Sequence, residues 1–233
     1  MQAIVLAGGF GTRLRQVVSD VPKPMAPVAG RPFLEYVLDG LARNGVAQVV
    51  LSVGFMADKI MGHFGTRYAS LSIDYAVEDS PLGTGGAVAA ALAHCSDNPV
   101  LVLNGDTWLD LELAELQAQW QASRLPIIVS RAVDDVARYG QLDVQGGLVT
   151  GFLEKGGHGP GLINAGVYVL PRDIFGSKAP SPPFSIEADF LASYVRAHAT
   201  QVFVSKGEFI DIGVPEDYAR VQTMNLGGAM RTS

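Results

Sequence analysis

Short runs of consecutive apolar residues alternate with longer amphipathic segments in the first half of the chain. A continuous apolar run predicts a strand buried on both faces, and apolar residues three to four positions apart predict a helix. The predicted strands span residues 2–7, 48–53, 71–76, 100–103 and 127–129, and the predicted helices span residues 32–44, 57–64, 83–94 and 111–123. This alternation indicates βαβ units and a mostly parallel sheet, in which ligands bind beyond the carboxyl ends of the strands.

After residue 138 the pattern changes to β segments joined by glycine-rich turns, over residues 139–144, 148–153 and 162–170. A helix over 186–197 follows, then a returning pair of strands over 200–204 and 208–212, and a closing helix over 215–225. No linker interrupts the chain, so we expect one domain over 1–233, with parts at 1–137 and 138–225. The predicted fold is α/β: a Rossmann-like three-layer sandwich with a mostly parallel central sheet and a smaller β-rich lobe.

Composition narrows the classes of partner. The chain has 233 residues and a formal net charge of −6, without a face rich in lysine and arginine, which argues against nucleic acid. No apolar stretch approaches the ~20 residues of a membrane-spanning helix. The one cysteine, Cys95, excludes an intramolecular disulfide and suits a reducing compartment. We therefore expect a cytoplasmic protein that binds neither nucleic acid nor membrane.

A glycine-rich loop follows the first predicted strand: residues 6–14 have the sequence LAGGFGTRL, and Lys23 follows in the segment PKPM. Glycine N–H groups can converge on an anion, and Arg13 and Lys23 add positive charge suited to phosphate oxygens. Taken alone, the glycines would also fit a tight turn. The loop is neither a P-loop, which ends in Gly-Lys-Ser/Thr, nor a dinucleotide fingerprint, which needs a third glycine where Leu14 stands.

These two segments resemble the opening of the sugar-phosphate nucleotidyltransferases, whose pattern is L-A-G-G-x-G-T-R-L followed by P-K-P-M. The resemblance covers nearly the whole chain. Residues 14–20 depart from that family's commoner L-x-P-L-T and are more like the branch that makes GDP-activated heptose from D-glycero-D-manno-heptose 1-phosphate. The resemblance implies transfer of GMP from GTP to a sugar 1-phosphate with release of pyrophosphate. It places the nucleotide against Leu6, Ala7, Gly8, Gly9, Gly11, Thr12, Arg13, Lys23, Glu78, Gly83 and Asp106.

Two aspartates end strand-like runs. Asp106 lies in the motif N-G-D after residues 100–103, and Asp211 lies in D-I-G. A carboxylate there is a natural Mg²⁺ ligand, because Mg²⁺ takes one or two carboxylates together with phosphate oxygens and water. By itself, Asn-Gly-Asp would fit an Asx turn equally well. Both aspartates match metal-binding motifs of the family, so the resemblance implies Mg²⁺ as the cofactor, held by Asp106 and Asp211.

Glu78 lies just past the third predicted strand, where the family places the side chain that reads the base. One carboxylate can accept both adjacent donors of guanine, the N1–H and the N2 amino group. Uracil and thymine present a single donor between two carbonyls, and adenine presents an acceptor at N1, so a carboxylate favours guanine. A solvated turn carboxylate is the alternative. The family adds a backbone contact at Gly83.

The second half carries the residues that the resemblance assigns to the sugar 1-phosphate. Lys155, beside Glu154, can anchor the phosphate, although without the resemblance these two are a surface charge pair. Asn164 interrupts an apolar run, Gly140 offers a backbone amide, and Glu187 belongs to a less secure motif. The implied catalytic residues are Arg13, Lys23, Asp106, Lys155 and Asp211.

The implied reaction needs no general base, because the attacking oxygen of a sugar 1-phosphate is already anionic. Catalysis then depends on positioning two polyanions and neutralising their charge. The partners are GTP and a sugar 1-phosphate, and a homo-oligomer is a candidate state. Three alternatives stay open: mannose 1-phosphate with GTP, N-acetylmuramate 1-phosphate with UTP, and a regulatory subunit that senses a nucleotide without turnover.

Overall fold

The computed structural model describes residues 1–9, 11, 14, 18–153, 157–176 and 179–226. Its strands are β1 (Ala3–Leu6), β2 (Pro27–Val28), β3 (Arg31–Pro32), β4 (Gln48–Val53), β5 (Arg67–Tyr68), β6 (Leu71–Val77), β7 (Val100–Asn104), β8 (Thr107–Leu109), β9 (Ile127–Val133), β10 (Gln141–Gln145), β11 (Leu148–Leu153), β12 (Gly161–Leu170), β13 (Gln201–Ser205) and β14 (Phe209–Asp211). Its α-helices are α1 (Phe33–Arg43), α2 (Ala57–Phe64), α3 (Gly83–Leu92), α4 (Leu113–Ser123), α5 (Ala192–Ala197) and α6 (Pro215–Val221). A 3₁₀-helix covers Lys23–Met25, and a π-helix over Ile186–Leu191 runs directly into α5.

Ten strands form one mixed sheet in the order β10-β11-β13-β9-β12-β7-β1-β4-β6-β5. The neighbours β7, β1, β4 and β6 are parallel, as their apolar runs predicted. β12 runs antiparallel to both β7 and β9, and β13 is parallel to β9. The β-rich second half therefore extends the same sheet with largely antiparallel strands. The parallel pairs of the sheet are those among β7, β1, β4 and β6 and the pair of β9 with β13.

Alternate residues of the central strands pack on opposite faces of the sheet. Ala3 and Val5 belong to the core that packs against α1, α2, α4 and α6. Ile4 belongs to the core that packs against α3, the π-helix and α5. Helices thus cover both faces, which makes the predicted three-layer sandwich and explains why the strands are continuously apolar. None of the described helices has the length and apolar character that crossing a membrane requires.

The predicted strands and helices of both halves all occur, most of them within two residues of their predicted ends. The prediction that residues 200–204 pair with 208–212 was wrong. β13 lies in the main sheet beside β9 and β11, whereas β14 pairs antiparallel with β8. The strand β8 was not predicted, because its three residues are too few to show a periodicity.

Glu112 holds the turn that separates β13 from β14. Its carboxylate accepts hydrogen bonds from the Ser205 hydroxyl at 2.6 Å, the Lys206 N–H at 2.8 Å and the Gly207 N–H at 3.2 Å. Burial alone would raise the pKa of Glu112, but these hydrogen bonds outweigh burial and the net pKa is lowered. The turn directs the chain away from the main sheet towards β8, which brings Asp211 close to Asp106.

Candidate active site

A cleft of about 590 Å³ lies at the carboxyl ends of the parallel strands. β1 contributes Leu6 to its wall, β4 contributes Ser52, β7 contributes Asn104, and Glu78 follows β6 directly. The volume is within the range usual for small-molecule sites, and the position is where open α/β sheets bind ligands.

The glycine-rich loop forms one wall of this cleft, with Gly8, Gly9 and Gly11 among the lining residues. Gly11 has a φ of +57°, and a Cβ there would lie 2.7 Å from the Cβ of Lys23. A side chain at this position would therefore be strained and would displace Lys23.

The predicted nucleotide-binding loop has three other members, which are Ala7, Thr12 and Arg13. Ala7 is buried, with its N–H donating to the Ser52 carbonyl at 2.8 Å. Thr12 and Arg13 lie outside the described residues.

Lys23 lies between the two aspartates that the sequence assigned to a metal. Its Nζ donates a hydrogen bond to Asp106 Oδ2 and lies 3.6 Å from Asp211 Oδ1. The side chain of Lys23 is 9% exposed, whereas those of Asp106 and Asp211 are 33% and 36% exposed. A buried ammonium thus holds together two carboxylates that solvent and ligands can still reach.

Backbone hydrogen bonds fix the position of both aspartates. The Gly105 N–H donates to the Leu6 carbonyl at 2.9 Å, which ties the N-G-D motif to the end of β1. The Ile212 N–H donates to the Asp106 carbonyl at 3.0 Å, and the Gly213 N–H donates to Asp211 Oδ1 at 2.7 Å. The β8–β14 pairing therefore brings together two motifs that are far apart in sequence.

Asp106 and Asp211 fit a divalent cation of the Mg²⁺ kind. Two carboxylates share the one ammonium of Lys23, so these three groups together carry net negative charge. In the part of the chain that the structure describes, no group of three or more His, Cys, Asp or Glu residues could hold a metal ion. Mg²⁺ does not require such a group, because substrate phosphates and water commonly complete its coordination.

Hydrogen bonds fix the carboxylate of Glu78 at the cleft wall. Oε1 accepts from the Ser52 hydroxyl at 3.1 Å, and Oε2 accepts from the Leu82 N–H at 3.0 Å. Gly8 packs against the same group, since a Cβ at Gly8 would lie 2.7 Å from Glu78 Oε1. Each carboxylate oxygen has about two lone-pair sites, so both can accept a further hydrogen bond from a ligand.

The predicted sugar-phosphate residues that the structure describes, Gly140, Asn164 and Glu187, are linked to one another by hydrogen bonds, and none of them is among the described residues that line the cleft. The Asn164 N–H donates to the Gly140 carbonyl at 3.0 Å. The Asn164 side-chain Nδ2 donates to the Tyr168 hydroxyl at 2.7 Å, and that hydroxyl donates to Glu187 Oε1 at 2.9 Å. The use of the Gly140 amide stays a prediction, and the remaining two sugar-side residues, Glu154 and Lys155, lie outside the described residues.

The start of α3 connects the cleft to the segment at residues 184–187. Gly83 lines the cleft and packs so closely on Phe184 that a Cβ would lie 2.4 Å from the Phe184 carbonyl oxygen. Thr84 also lines the cleft. Its hydroxyl accepts from the Ile186 N–H at 2.9 Å and donates to Glu187 Oε2 at 3.2 Å. Thr84 therefore links the cleft to Glu187, one of the predicted sugar-phosphate residues.

Three polar residues of the site were missed by the sequence patterns: Ser52, Thr84 and Tyr168. Ser52 and Tyr168 are buried in apolar strands, where a hydroxyl must find a partner. A lone hydroxyl inside such a strand is the signal that could have found them. Thr84 has no comparable signal, because it stands among the glycines and alanines at the start of α3.

Known proteins with similar sequence and structure share this architecture. Residues 2–226 match the family described as Nucleotidyl transferase. The chain is 40% identical over 223 residues to the D-glycero-alpha-D-manno-heptose 1-phosphate guanylyltransferase of Aneurinibacillus thermoaerophilus, covering 95% of this chain and 97% of that protein. It is 32% identical to the mannose-1-phosphate guanylyltransferase of Mycobacterium tuberculosis, covering 94% of this chain and 63% of that protein.

Among solved structures, HddC from Yersinia pseudotuberculosis complexed with GMP-PN is similar, with a TM-score of 0.86 and 38% identity over 95% of this chain and 97% of that chain. The resemblance drawn from the glycine-rich loop is confirmed: the chain belongs to the nucleotidyl transferase family.

Proposed function

We propose that the protein transfers GMP from GTP to D-glycero-alpha-D-manno-heptose 1-phosphate, giving GDP-heptose and pyrophosphate. The observation that carries the reaction type is the contact of Lys23 with both Asp106 and Asp211 beside the cleft at the carboxyl ends of the parallel strands. The choice of heptose is supported by similarity to a guanylyltransferase of that name along 97% of its length.

The cleft residues would act by binding and by neutralising charge. Gly8, Gly9 and Gly11 would receive the triphosphate of GTP along the loop, with Lys23 beside it. Mg²⁺, held by Asp106 and Asp211, would supply positive charge at the phosphate oxygens. These groups would orient the α-phosphate for in-line attack and stabilise the charge that develops on the pyrophosphate leaving group.

The attacking group would be an oxygen of the sugar 1-phosphate. Its bond to the α-phosphorus forms as the bond to pyrophosphate breaks, and no proton has to be removed from the nucleophile. In keeping with this, the described residues that line the cleft include no histidine. Lys155 would neutralise the sugar phosphate, with Asn164, Gly140, Glu154 and Glu187 around the sugar.

The preference for GTP rests on the carboxylate of Glu78. Ser52 and Leu82 hold its two oxygens in place, which would present two acceptors at a fixed position to the N1–H and N2 amino group of guanine. The same acceptors would face a carbonyl of uracil, and that arrangement disfavours UTP.

A pyrophosphate-release assay with each nucleotide against each sugar 1-phosphate tests this proposal. GTP, UTP, dTTP and ATP are each combined with the 1-phosphates of heptose, mannose and N-acetylmuramate. We expect the highest kcat/KM for GTP with the heptose substrate. Higher kcat/KM with mannose 1-phosphate, or with UTP, would reassign the sugar or the base. No release from any pair would leave a protein that senses the nucleotide without turnover.

Further expectations follow from this function. A reducing compartment suits the buried free thiol of Cys95, so we propose the cytoplasm as the location. We also propose that the product serves the synthesis of capsule or other surface polysaccharide. The homo-oligomer stays a prediction, and size-exclusion chromatography with light scattering tests it.

A further inference from the structure

A chain of three side chains crosses the sugar side of the site. Asn164 Nδ2 donates to the Tyr168 hydroxyl, and the Tyr168 hydroxyl donates to Glu187 Oε1. Glu187 also accepts from two other hydroxyls, those of Thr84 at 3.2 Å and Ser185 at 3.0 Å. Three hydroxyl donors around one carboxylate match the requirement of an ionised group, which can only accept hydrogen bonds.

The charge on Glu187 determines the direction of every bond in this chain. A tyrosine hydroxyl has one proton, so when that proton goes to Glu187 the oxygen can only accept from Asn164. Asn164 must then turn its NH₂ group towards Tyr168. The Gly166 N–H donates to Asn164 Oδ1 at 3.0 Å, which assigns the same orientation of the amide independently.

Asn164 lies at an irregularity of β12 that adjoins the cleft. The register with β9 shifts between Asn164 and Val167, so the intervening residues bulge out of the ladder. Within this bulge, a Cβ at Gly166 would lie 2.4 Å from Nδ2 of the cleft residue Asn104. Bulges beside a site serve to redirect a side chain.

Tyr168 itself is fully buried, so it cannot touch a substrate. Burial, together with the nearby Glu187 carboxylate, raises the pKa of Tyr168 well above its ordinary value. The hydroxyl therefore stays protonated and remains a donor to Glu187 across the working pH range.

We infer that Tyr168 is a positioning residue for the sugar 1-phosphate: its hydroxyl, oriented by Glu187, accepts from Asn164 Nδ2 and, together with the Gly166 N–H, fixes which end of the Asn164 amide faces the sugar. This inference rests on the proposed function, because it requires the sugar phosphate to bind beside Asn164. It assigns to a buried residue a role in substrate selection that no cleft-lining contact reveals.

The test is Tyr168→Phe, which keeps the ring and removes the hydroxyl. We expect KM for the sugar 1-phosphate to rise about tenfold while KM for GTP changes little, because the buried hydroxyl that is lost bonds only Asn164 and Glu187, both on the side proposed for the sugar. The matched control is Tyr36→Phe. Tyr36 is also buried, and its hydroxyl donates to the Val28 carbonyl at a distance of 3.0 Å; neither residue lines the cleft. The control should leave both KM values unchanged.

A double-mutant cycle separates positioning from a merely structural role. In an Asn164→Ala background, Tyr168→Phe should add little to the KM for the sugar 1-phosphate, since its effect passes through Asn164. The inference would be overturned if the two substitutions had additive effects on this KM, or if Tyr168→Phe changed it no more than Tyr36→Phe does. In either case, turnover by the wild type would still support the proposed function. Absence of turnover in the wild type would overturn both.

If circular dichroism shows that Tyr168→Phe is unfolded, a reversed chain provides the test. Asn164→Asp leaves the Tyr168 hydroxyl between two acceptors, and Glu187→Gln gives it a donor in place of an acceptor. Each single variant should raise KM for the sugar 1-phosphate. In the double variant, the amide introduced at position 187 can donate to the Tyr168 hydroxyl, and that hydroxyl can donate to the carboxylate introduced at position 164. The KM of the double variant for the sugar 1-phosphate should therefore be lower than the value obtained by multiplying the two single-variant increases. A KM equal to that product would overturn the inference.

Discussion

The two sides of the proposed active site, the cleft with its charged cluster and the hydrogen-bonded chain that contacts the cleft residue Thr84, are built on different kinds of interaction. On the side proposed for the nucleotide, Lys23, Asp106 and Asp211 form a charged cluster with one more carboxylate than ammonium. On the side proposed for the sugar 1-phosphate, Asn164 and Glu187 are joined through a fully buried hydroxyl in a chain of directed hydrogen bonds. Lys23, Asp106 and Asp211 by themselves carry net negative charge, whereas the Tyr168 hydroxyl of the chain has both a donor and an acceptor within the protein.

This difference suggests a division of labour. A cluster of charges can stabilise the transition state of phosphoryl chemistry directly, since the effect acts where charge develops. A chain of hydrogen bonds selects and orients a substrate through geometry. We therefore expect substitutions on the nucleotide side to lower kcat or impair use of GTP, and substitutions on the sugar side to raise KM for the sugar 1-phosphate.

The largest effect is expected for Asp106→Asn. The substitution preserves shape but removes the charge that would hold Mg²⁺, and it weakens the bond from Lys23. Loss of one electrostatic contact to the transition state typically lowers kcat by about 10²–10³-fold. Pyrophosphate release at saturating Mg²⁺, GTP and sugar 1-phosphate measures it.

Asp143→Asn is the matched control for that experiment. Asp143 is an exposed aspartate on β10 that accepts from the Thr150 hydroxyl at 2.9 Å. The same chemical change there should leave kcat unchanged. If circular dichroism shows that both variants are folded and kcat is unaltered in Asp106→Asn, the charged cluster does not take part in the reaction. The proposed difference between the two sides would then be wrong.

The next largest effect should follow removal of a lysine from either side. Lys23→Ala leaves two carboxylates without their shared cation, and kcat/KM for GTP should fall by about 10- to 100-fold, as for loss of a charged hydrogen bond. Lys155→Ala should instead raise KM for the sugar 1-phosphate. The control is Lys59→Ala, an exposed lysine that bonds the Asp20 carbonyl.

The measurement that distinguishes the two lysines is KM for GTP and KM for the sugar 1-phosphate in each variant. If Lys155→Ala impairs only the use of GTP, the assignment of residues 138–225 to the sugar phosphate is wrong. If Lys23→Ala impairs only the sugar 1-phosphate, the two sides of the comparison are exchanged.

Sequence patterns predicted the charged side better than the hydrogen-bonded side, for a physical reason. The charged residues lie in short motifs whose residue types are typical of phosphate and metal sites. The structure brings three of them into contact, Lys23, Asp106 and Asp211. Tyr168 and Thr84 donate hydrogen bonds to Glu187, which lies 19 and 103 positions away from them in the chain. No local pattern encodes such contacts.

The fold shows the same limit of local information. Apolar runs predicted the parallel strands, because burial on both faces leaves a continuous run of apolar residues that can be seen in the sequence. The partner of β14 could not be predicted from such a pattern. The turn that precedes β14, at residues 205–207, is hydrogen-bonded to Glu112, which lies more than 90 positions away in the chain.

A smaller effect, confined to the choice of base, is expected for Glu78→Gln. A glutamine has one acceptor oxygen, and the Leu82 N–H requires it, so the amide NH₂ must face Ser52. The guanine edge then loses part of its acceptor pair, and a pyrimidine carbonyl gains a donor. We expect the ratio of kcat/KM for GTP to that for UTP to fall by about tenfold.

Ser52→Ala sharpens this prediction, because it leaves the carboxylate of Glu78 in place and removes one of its hydrogen-bond donors. It removes the hydroxyl that holds Glu78 Oε1, so the ratio should fall in the same direction but less. Equal use of GTP and UTP by the wild type, or a ratio that Glu78→Gln leaves unchanged, would show that Glu78 does not read the base.

The smallest expected effect belongs to Thr84, which joins the two sides. Thr84→Val keeps the shape of the side chain but removes the hydroxyl that donates to Glu187 and accepts from the Ile186 N–H. Because Thr84 is exposed, water can replace these bonds in part, and we expect KM for the sugar 1-phosphate to rise only about two- to fivefold. Thr84→Ser should restore the wild-type value, and Thr150→Val, which loses a hydroxyl bond far from the cleft, should change neither KM. A larger rise in KM for GTP than for the sugar 1-phosphate would place Thr84 with the nucleotide and would mean that the two sides of the cleft do not meet at this residue.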